Sequence, residues 1–139
     1  MRFGNHRPFT AVRMSTDIST DFGSLNYTVN GAGLPGNTPS LTGTHAARNF
    51  SNNAWLGNYS LGGNITFNLN GSYSLAGFSF WNLSGQGNSA DYGIKGVTVQ
   101  ASTDGTTFTT ISGAPTEFSK GTGGSVGPQQ YSFSPVTAS

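Results

Sequence analysis

The chain is expected to fold as an all-β domain, an antiparallel β-sandwich or jelly roll. Three observations carry this. In GVTVQASTDGTTFTTIS (residues 96–112), Val97, Val99 and Ala101 alternate with Thr98, Gln100 and Ser102, the period of two of a strand with one buried face. Similar short runs recur along the chain, separated by clusters of Gly, Asn, Ser and Thr. No segment of ten or more residues carries a 3.6-residue apolar period, so helix content is expected to be very low.

Residues 9–19 read as a first strand, with Val12 and Met14 on one side and Arg13 and Ser15 on the other. Residues 26–29 read as a short second strand. Residues 30–53 are rich in turn formers and read as one long loop, a kind that in a small domain often carries function. In NITFNLN, Ile65, Phe67 and Leu69 face one way and Thr66 and Asn68 the other; Asn70-Gly71 then turns the chain. Residues 72–81 form the next strand, with Ala76, Phe78 and Phe80 expected on one face. A polar loop over 82–92 leads to the strand that begins at Gly96. Asp104-Gly105 suits the positive φ angles of a tight hairpin turn, so the chain should fold back through residues 107–111. A third long loop spans 113–130, and Tyr131 and Phe133 alternate with serines in the last strand.

Composition fits this class. At 139 residues the chain suffices for one core and not for two. Charged residues make up only 8%, against about one quarter in ordinary soluble domains, so the surface is polar without being ionic. Ten Phe, five Tyr and two Trp supply apolar area for a core. A net charge of +1 leaves no electrostatic footprint for nucleic acid or an anionic membrane. The absence of cysteine excludes disulfides and thiolate metal sites. The opening residues are basic without an apolar core, so no secretory signal is expected in the chain as given, and no apolar run is long enough for a membrane-spanning helix. The hydroxyl- and amide-rich composition nevertheless points to an exported, extracellular or cell-surface protein.

NITFNLNGSYSLAGFSFWN (residues 64–82) followed by GIKGVTVQASTDGTTFTTISG (residues 93–113) resembles the core of discoidin-type domains, also called coagulation factor 5/8 type C or galactose-binding-like domains. NGAGL (residues 30–34) and Trp55-Leu56 are similar to segments of exported bacterial members. The resemblance covers residues 9–139 and leaves 1–8 as an N-terminal extension. It implies a jelly roll whose ligands sit among loops at one end, hence a carbohydrate-binding, lectin-like or cell-adhesion module with a glycan or surface polysaccharide as partner. It also implies a further closing strand after Ser139. The alternative function follows from that: a self-assembling structural or fibre subunit, a homo-oligomer that completes its sheet edge with a neighbouring chain.

Catalysis finds little support. The acids Asp17, Asp21, Asp91, Asp104 and Glu117 and the histidines His6 and His45 show no spacing that suggests an acid–base pair, and no GxSxG elbow appears. The runs GAGLPG and GTGGSVG lack the lysine and helix of a phosphate loop; their glycines serve turns. Sugar binding pairs an aromatic face with short planar polar groups. The loop over 45–55 offers His45, Arg48, Asn49, Asn52, Asn53 and Trp55, and the one after Phe80 offers Trp81, Asn82, Asn88, Asp91 and Tyr92. His45, Arg48, Asn49, Trp81, Asn82, Asp91 and Tyr92 are the expected sugar-binding residues, with Trp55 read as a core residue that closes one end. The family resemblance would imply a structural calcium ion, but the loop over 30–44 holds carbonyls, Asn30 and Asn37 and not one Asp or Glu, so no cofactor is expected. Six Asn-x-Ser/Thr sequons, at Asn26, Asn49, Asn58, Asn64, Asn70 and Asn82, would be acceptors only in a host that glycosylates exported proteins.

Overall fold

The computed structural model describes residues 2–3, 12–58 and 61–139. Residues 9–11 of the expected first strand and residues 4–8 of the expected extension lie outside this set. The strands are β1 (Arg2–Phe3), β2 (Arg13–Thr16), β3 (Thr20–Gly23), β4 (Trp55–Gly57), β5 (Ile65–Asn68), β6 (Tyr73–Phe80), β7 (Gln100–Ala101), β8 (Thr109–Thr110) and β9 (Gln129–Ala138). The only helical elements among the described residues are single 3-10 turns, so the domain is all-β. All pairing is antiparallel. β1, β6 and β9 form a three-stranded sheet in that order, and β2–β5, β3–β4 and β7–β8 are separate pairs. The strands are thus distributed over small sheets.

The β6–β9 pair organises the core. Tyr73 to Leu75 pair with Ala138 to Val136, whereas Gly77 to Phe80 pair with Ser132 to Gln129, so the register shifts between Leu75 and Gly77. Across that break the inward parity changes on both strands. Leu75 and Ala138 are buried with Leu69 in one cluster, which Val12, Phe67, Tyr73, Ala101, Phe133 and Val136 flank. Phe78 and Phe80 are buried with Phe118 in a second, flanked by Val97, Val99, Tyr131 and Phe133. The Phe80 and Phe118 rings stack with centroids 3.9 Å apart, and Phe118 meets Phe78 edge-on. The break explains why Ala76, expected to face inward with Phe78 and Phe80, is exposed. It also explains Pro135 and Gly77 there. A proline has no N–H to give a ladder, and a Cβ on residue 77 would run into the Tyr131 carbonyl.

The expected hairpin forms, with Gln100 opposite Thr110 and Ala101 opposite Thr109. It continues irregularly toward its base: Ile111 donates to the Val99 carbonyl at 3.0 Å, Val97 to Thr116 at 2.9 Å and Phe118 to Lys95 at 2.8 Å. Its turn is not the tight two-residue kind. Only Gly105 has a positive φ, and the turn spans residues 102–108. The Asp104 carboxylate organises it by accepting the Thr106 and Thr107 N–H groups, both at 2.8 Å, and the Ser102 hydroxyl at 2.9 Å. Those bonds favour the ionised form and hold the Asp104 carboxyl well below the usual carboxylate range, the Thr107 N–H contributing most. Asp17 is lowered likewise by the Asn64 N–H and side-chain amide.

The short strand expected over 26–29 is instead part of a 3-10 turn, Leu25–Thr28. Ser24 caps it, its hydroxyl accepting from the Asn26 N–H at 3.3 Å, and Thr28 Oγ1 returns a hydrogen bond to the Leu25 carbonyl at 2.7 Å. These local side-chain bonds outcompete a ladder for so short a segment.

Candidate functional site

The long loop over 30–53 lies along the end of β6 and is fastened to it at intervals. The Ser79 hydroxyl donates to the Leu41 carbonyl at 2.6 Å, Trp81 Nε1 to Gly43 at 3.0 Å, and the Arg48 N–H to the Ser84 carbonyl at 2.7 Å. His45 exchanges both backbone bonds with Val126, at 2.8 and 2.9 Å. Three loops, over 43–50, 82–93 and 119–126, therefore converge where β6 ends.

Two buried polar side chains hold them together. Asn82, 4% exposed, uses its whole amide inside the protein: Nδ2 donates to the Ile94 and Ser119 carbonyls at 2.7 and 2.8 Å, and Oδ1 accepts from the Leu83 and Ile94 N–H groups at 3.0 and 2.9 Å. It has nothing left for a ligand and acts as a brace between loops. Ser84 similarly ties residues 122–124, through the Thr122 carbonyl at 2.9 Å and the Gly124 carbonyl.

Arg48 is the centre of the exposed part. Its Nε donates to Ser89 Oγ at 2.6 Å, and Ser89, only 1% exposed, is itself oriented by donating to the Gln86 carbonyl at 2.7 Å. The guanidinium carbon lies 4.8 Å above the centre of the Phe50 ring, a cation–π contact. Phe50 in turn stacks on Phe22 at 5.5 Å, and Phe22 is 52% exposed. Gly85 makes this possible, since its missing Cβ would stand 2.8 Å from Arg48 Cγ. The result is a surface ladder of two rings and a guanidinium, with the Nη groups of Arg48 unpartnered among the described residues. Beside Ser89, Asn88 Nδ2 donates to the Tyr92 hydroxyl at 3.2 Å, and Tyr92 is 51% exposed. Asp91 forms an ion pair with Lys120 across the loops; both are exposed, so the pair contributes at most about 1 kcal/mol.

The expected site residues thus divide. Arg48, Asp91 and Tyr92 gather around the turn Ser89–Tyr92, and Asn49 lies next to Arg48, its Oδ1 accepting from the Ser51 N–H at 2.9 Å. Asn82 lies beneath them as a brace. Trp81 and His45 are fixed along the loop, Trp81 through Gly43 and His45 through its Nδ1 bond to the Ala46 carbonyl at 2.7 Å, and no hydrogen bond or ring contact joins either to Arg48 among the described residues. Asn53 is buried, its amide held between the Asn49 N–H and the Ala47 carbonyl. Trp55 is half-buried and donates through Nε1 to Thr20 Oγ1 at 2.8 Å. Phe22, Phe50 and Ser89 are the components that inspection of the sequence missed; the only local hint was the adjacency of Arg48, Asn49 and Phe50.

Elsewhere, an open groove of about 420 Å³ runs between the hairpin and β9, lined among others by Asp104, Thr107, Thr109, Ile111, Val136 and Thr137. Among the described residues no three His, Asp or Glu side chains stand close enough to share a metal ion, and no helix is long and apolar enough to cross a membrane. No protein-family model, curated protein or solved structure matches the chain.

Proposed function

We propose that this domain is a non-catalytic carbohydrate-binding or surface-adhesion module of an exported, extracellular or cell-surface protein, built as a discoidin-like sandwich. One observation carries the reading: the Phe22–Phe50–Arg48 ladder beside Asn88 and Tyr92. An exposed ring covers the apolar C–H face of a pyranose, and a guanidinium and amides beside it bind hydroxyls at its edge. The arrangement is preorganised, because Arg48 is held by Ser89 and by Phe50 before any ligand arrives. A chain with 8% charged residues also offers little else on its surface for binding by charge.

A glycan array probed with the purified domain tests the reading. The expected outcome is binding to a restricted set of glycans, abolished by Arg48→Ala or Phe22→Ala and kept by Trp81→Ala. An array with no signal above background, or binding indifferent to the first two substitutions, would sink it.

The second reading, a self-assembling structural subunit, has its own support. Among the described residues β9 is an edge strand of its sheet, ten residues long, and QQYSFSPVTA carries no charge to discourage pairing with another chain. Size-exclusion chromatography and negative-stain images separate the two: filaments or stable oligomers favour assembly, a discrete monomer the binding module.

A further inference from the structure

We propose, resting on the carbohydrate reading, that the site selects sugars bearing a carboxylate, with Arg48 as the specificity-determining residue. A guanidinium offers carboxylates two bidentate edges, one through Nε and one Nη, the other through both Nη groups. Ser89 already occupies Nε, at 2.6 Å, so the edge formed by the two Nη groups is the one left for a ligand. The hydroxyl that occupies Nε is built in: Ser89 is 1% exposed and anchored on the Gln86 carbonyl. The Phe50 ring, its centre 4.8 Å from the guanidinium carbon, holds the group from one side, and Ser89 holds it at Nε.

Charge accounting leads the same way. The one ion pair among the described residues joins Lys120 to Asp91, which leaves Arg48 without a carboxylate partner in its own chain. Asp104 is engaged within the hairpin turn and Asp17 on Asn64, and neither Asp21 nor Glu117 forms an ion pair with Arg48. A neutral sugar would use Arg48 only through single hydroxyl contacts. In an acidic oligosaccharide one hexuronate would use the whole fork, while a neighbouring sugar of the same chain lies on the exposed Phe22 face beyond Phe50.

Isothermal titration with three matched tetrasaccharides tests this: α-1,4-linked galacturonate, its methyl ester, and the neutral galactose tetramer. Galacturonate should bind tighter than either of the others by about tenfold or more, with the advantage shrinking as salt rises. Arg48→Lys should remove most of the advantage, because an ammonium is a point charge without a fork, and Arg48→Gln should remove all of it. Phe22→Ala should weaken all three ligands alike. Unchanged circular dichroism and melting temperature certify the fold of each variant. Equal binding of the three tetramers, with Phe22 still required, overturns the acidic-sugar inference and leaves the carbohydrate reading standing. No binding to any of them, together with a silent array, overturns both. Polyglutamate bound as tightly as galacturonate would overturn the inference as well, since charge alone would then suffice.

Discussion

The two ends of the β6 strand are held by different chemistry. From Tyr73 to Phe80 the strand is packed by hydrocarbon: Leu75 against Leu69 and Ala138, Phe78 and Phe80 against Phe118. Past Phe80 the apolar contacts give way to amides and hydroxyls, with Asn82, Ser84 and Ser89 each buried and each tying loops. Apolar packing is tolerant of direction, whereas hydrogen bonds fix atoms at set distances and angles. Arg48 is thus anchored at the polar end, its guanidinium through Ser89 and its backbone N–H through Ser84, and the apolar end supplies burial that keeps the chain folded.

Four substitutions sharpen that contrast. Phe118→Ala, in the apolar region, should cost about 4 kcal/mol in urea denaturation, since it empties the stack under Phe80. Asn82→Ala should cost about 3 kcal/mol, because it strands the Ile94 carbonyl and the Leu83 and Ile94 N–H groups, while the Ser119 carbonyl keeps the Gln129 amide. A cost below about 0.5 kcal/mol would show the loops hold themselves without the brace, and the contrast would fail. Asp104→Asn should act through pH. The folded carboxyl ionises more readily than the unfolded one at 3.8, so its stabilisation is full above that value and is lost as pH falls below it. The wild type should thus lose its advantage over the variant as acid is added, and an unchanged difference in melting temperature at about pH 5 and about pH 2 would contradict the assignment. Lys120→Ala, which removes only an exposed ion pair, should change stability by less than about 0.5 kcal/mol in the same urea titration.

How much was legible in advance follows the range of the interactions. Alternation marked β5, β6, the hairpin and Tyr131 to Phe133, because the facing of a strand is written in neighbouring residues. The outward facing of Ala76 is not written in its neighbours, because the register break depends on the pairing of β6 with the distant β9. Residues 26–29 read as a strand because apolar and polar residues alternate there, and a 3-10 turn over so few positions shows the same alternation. At the site, Arg48, Asp91 and Tyr92 stood out by type, but Phe22 could not be joined to Phe50, since β3 brings it there only by pairing with β4. Asn82 looked like a ligand contact because a buried brace and an exposed contact use the same amide; only burial separates them.

The break between Leu75 and Gly77 gives β9 a single seat on β6. A uniform ladder could slide by two residues and keep every side chain on its face. Here any slide would bring the Tyr131 carbonyl against Ala76, Phe78 or another residue with a Cβ, where only Gly77 leaves room. The pair is keyed rather than zipped, so an error in alignment cannot be annealed by small shifts and must be undone by separating the strands.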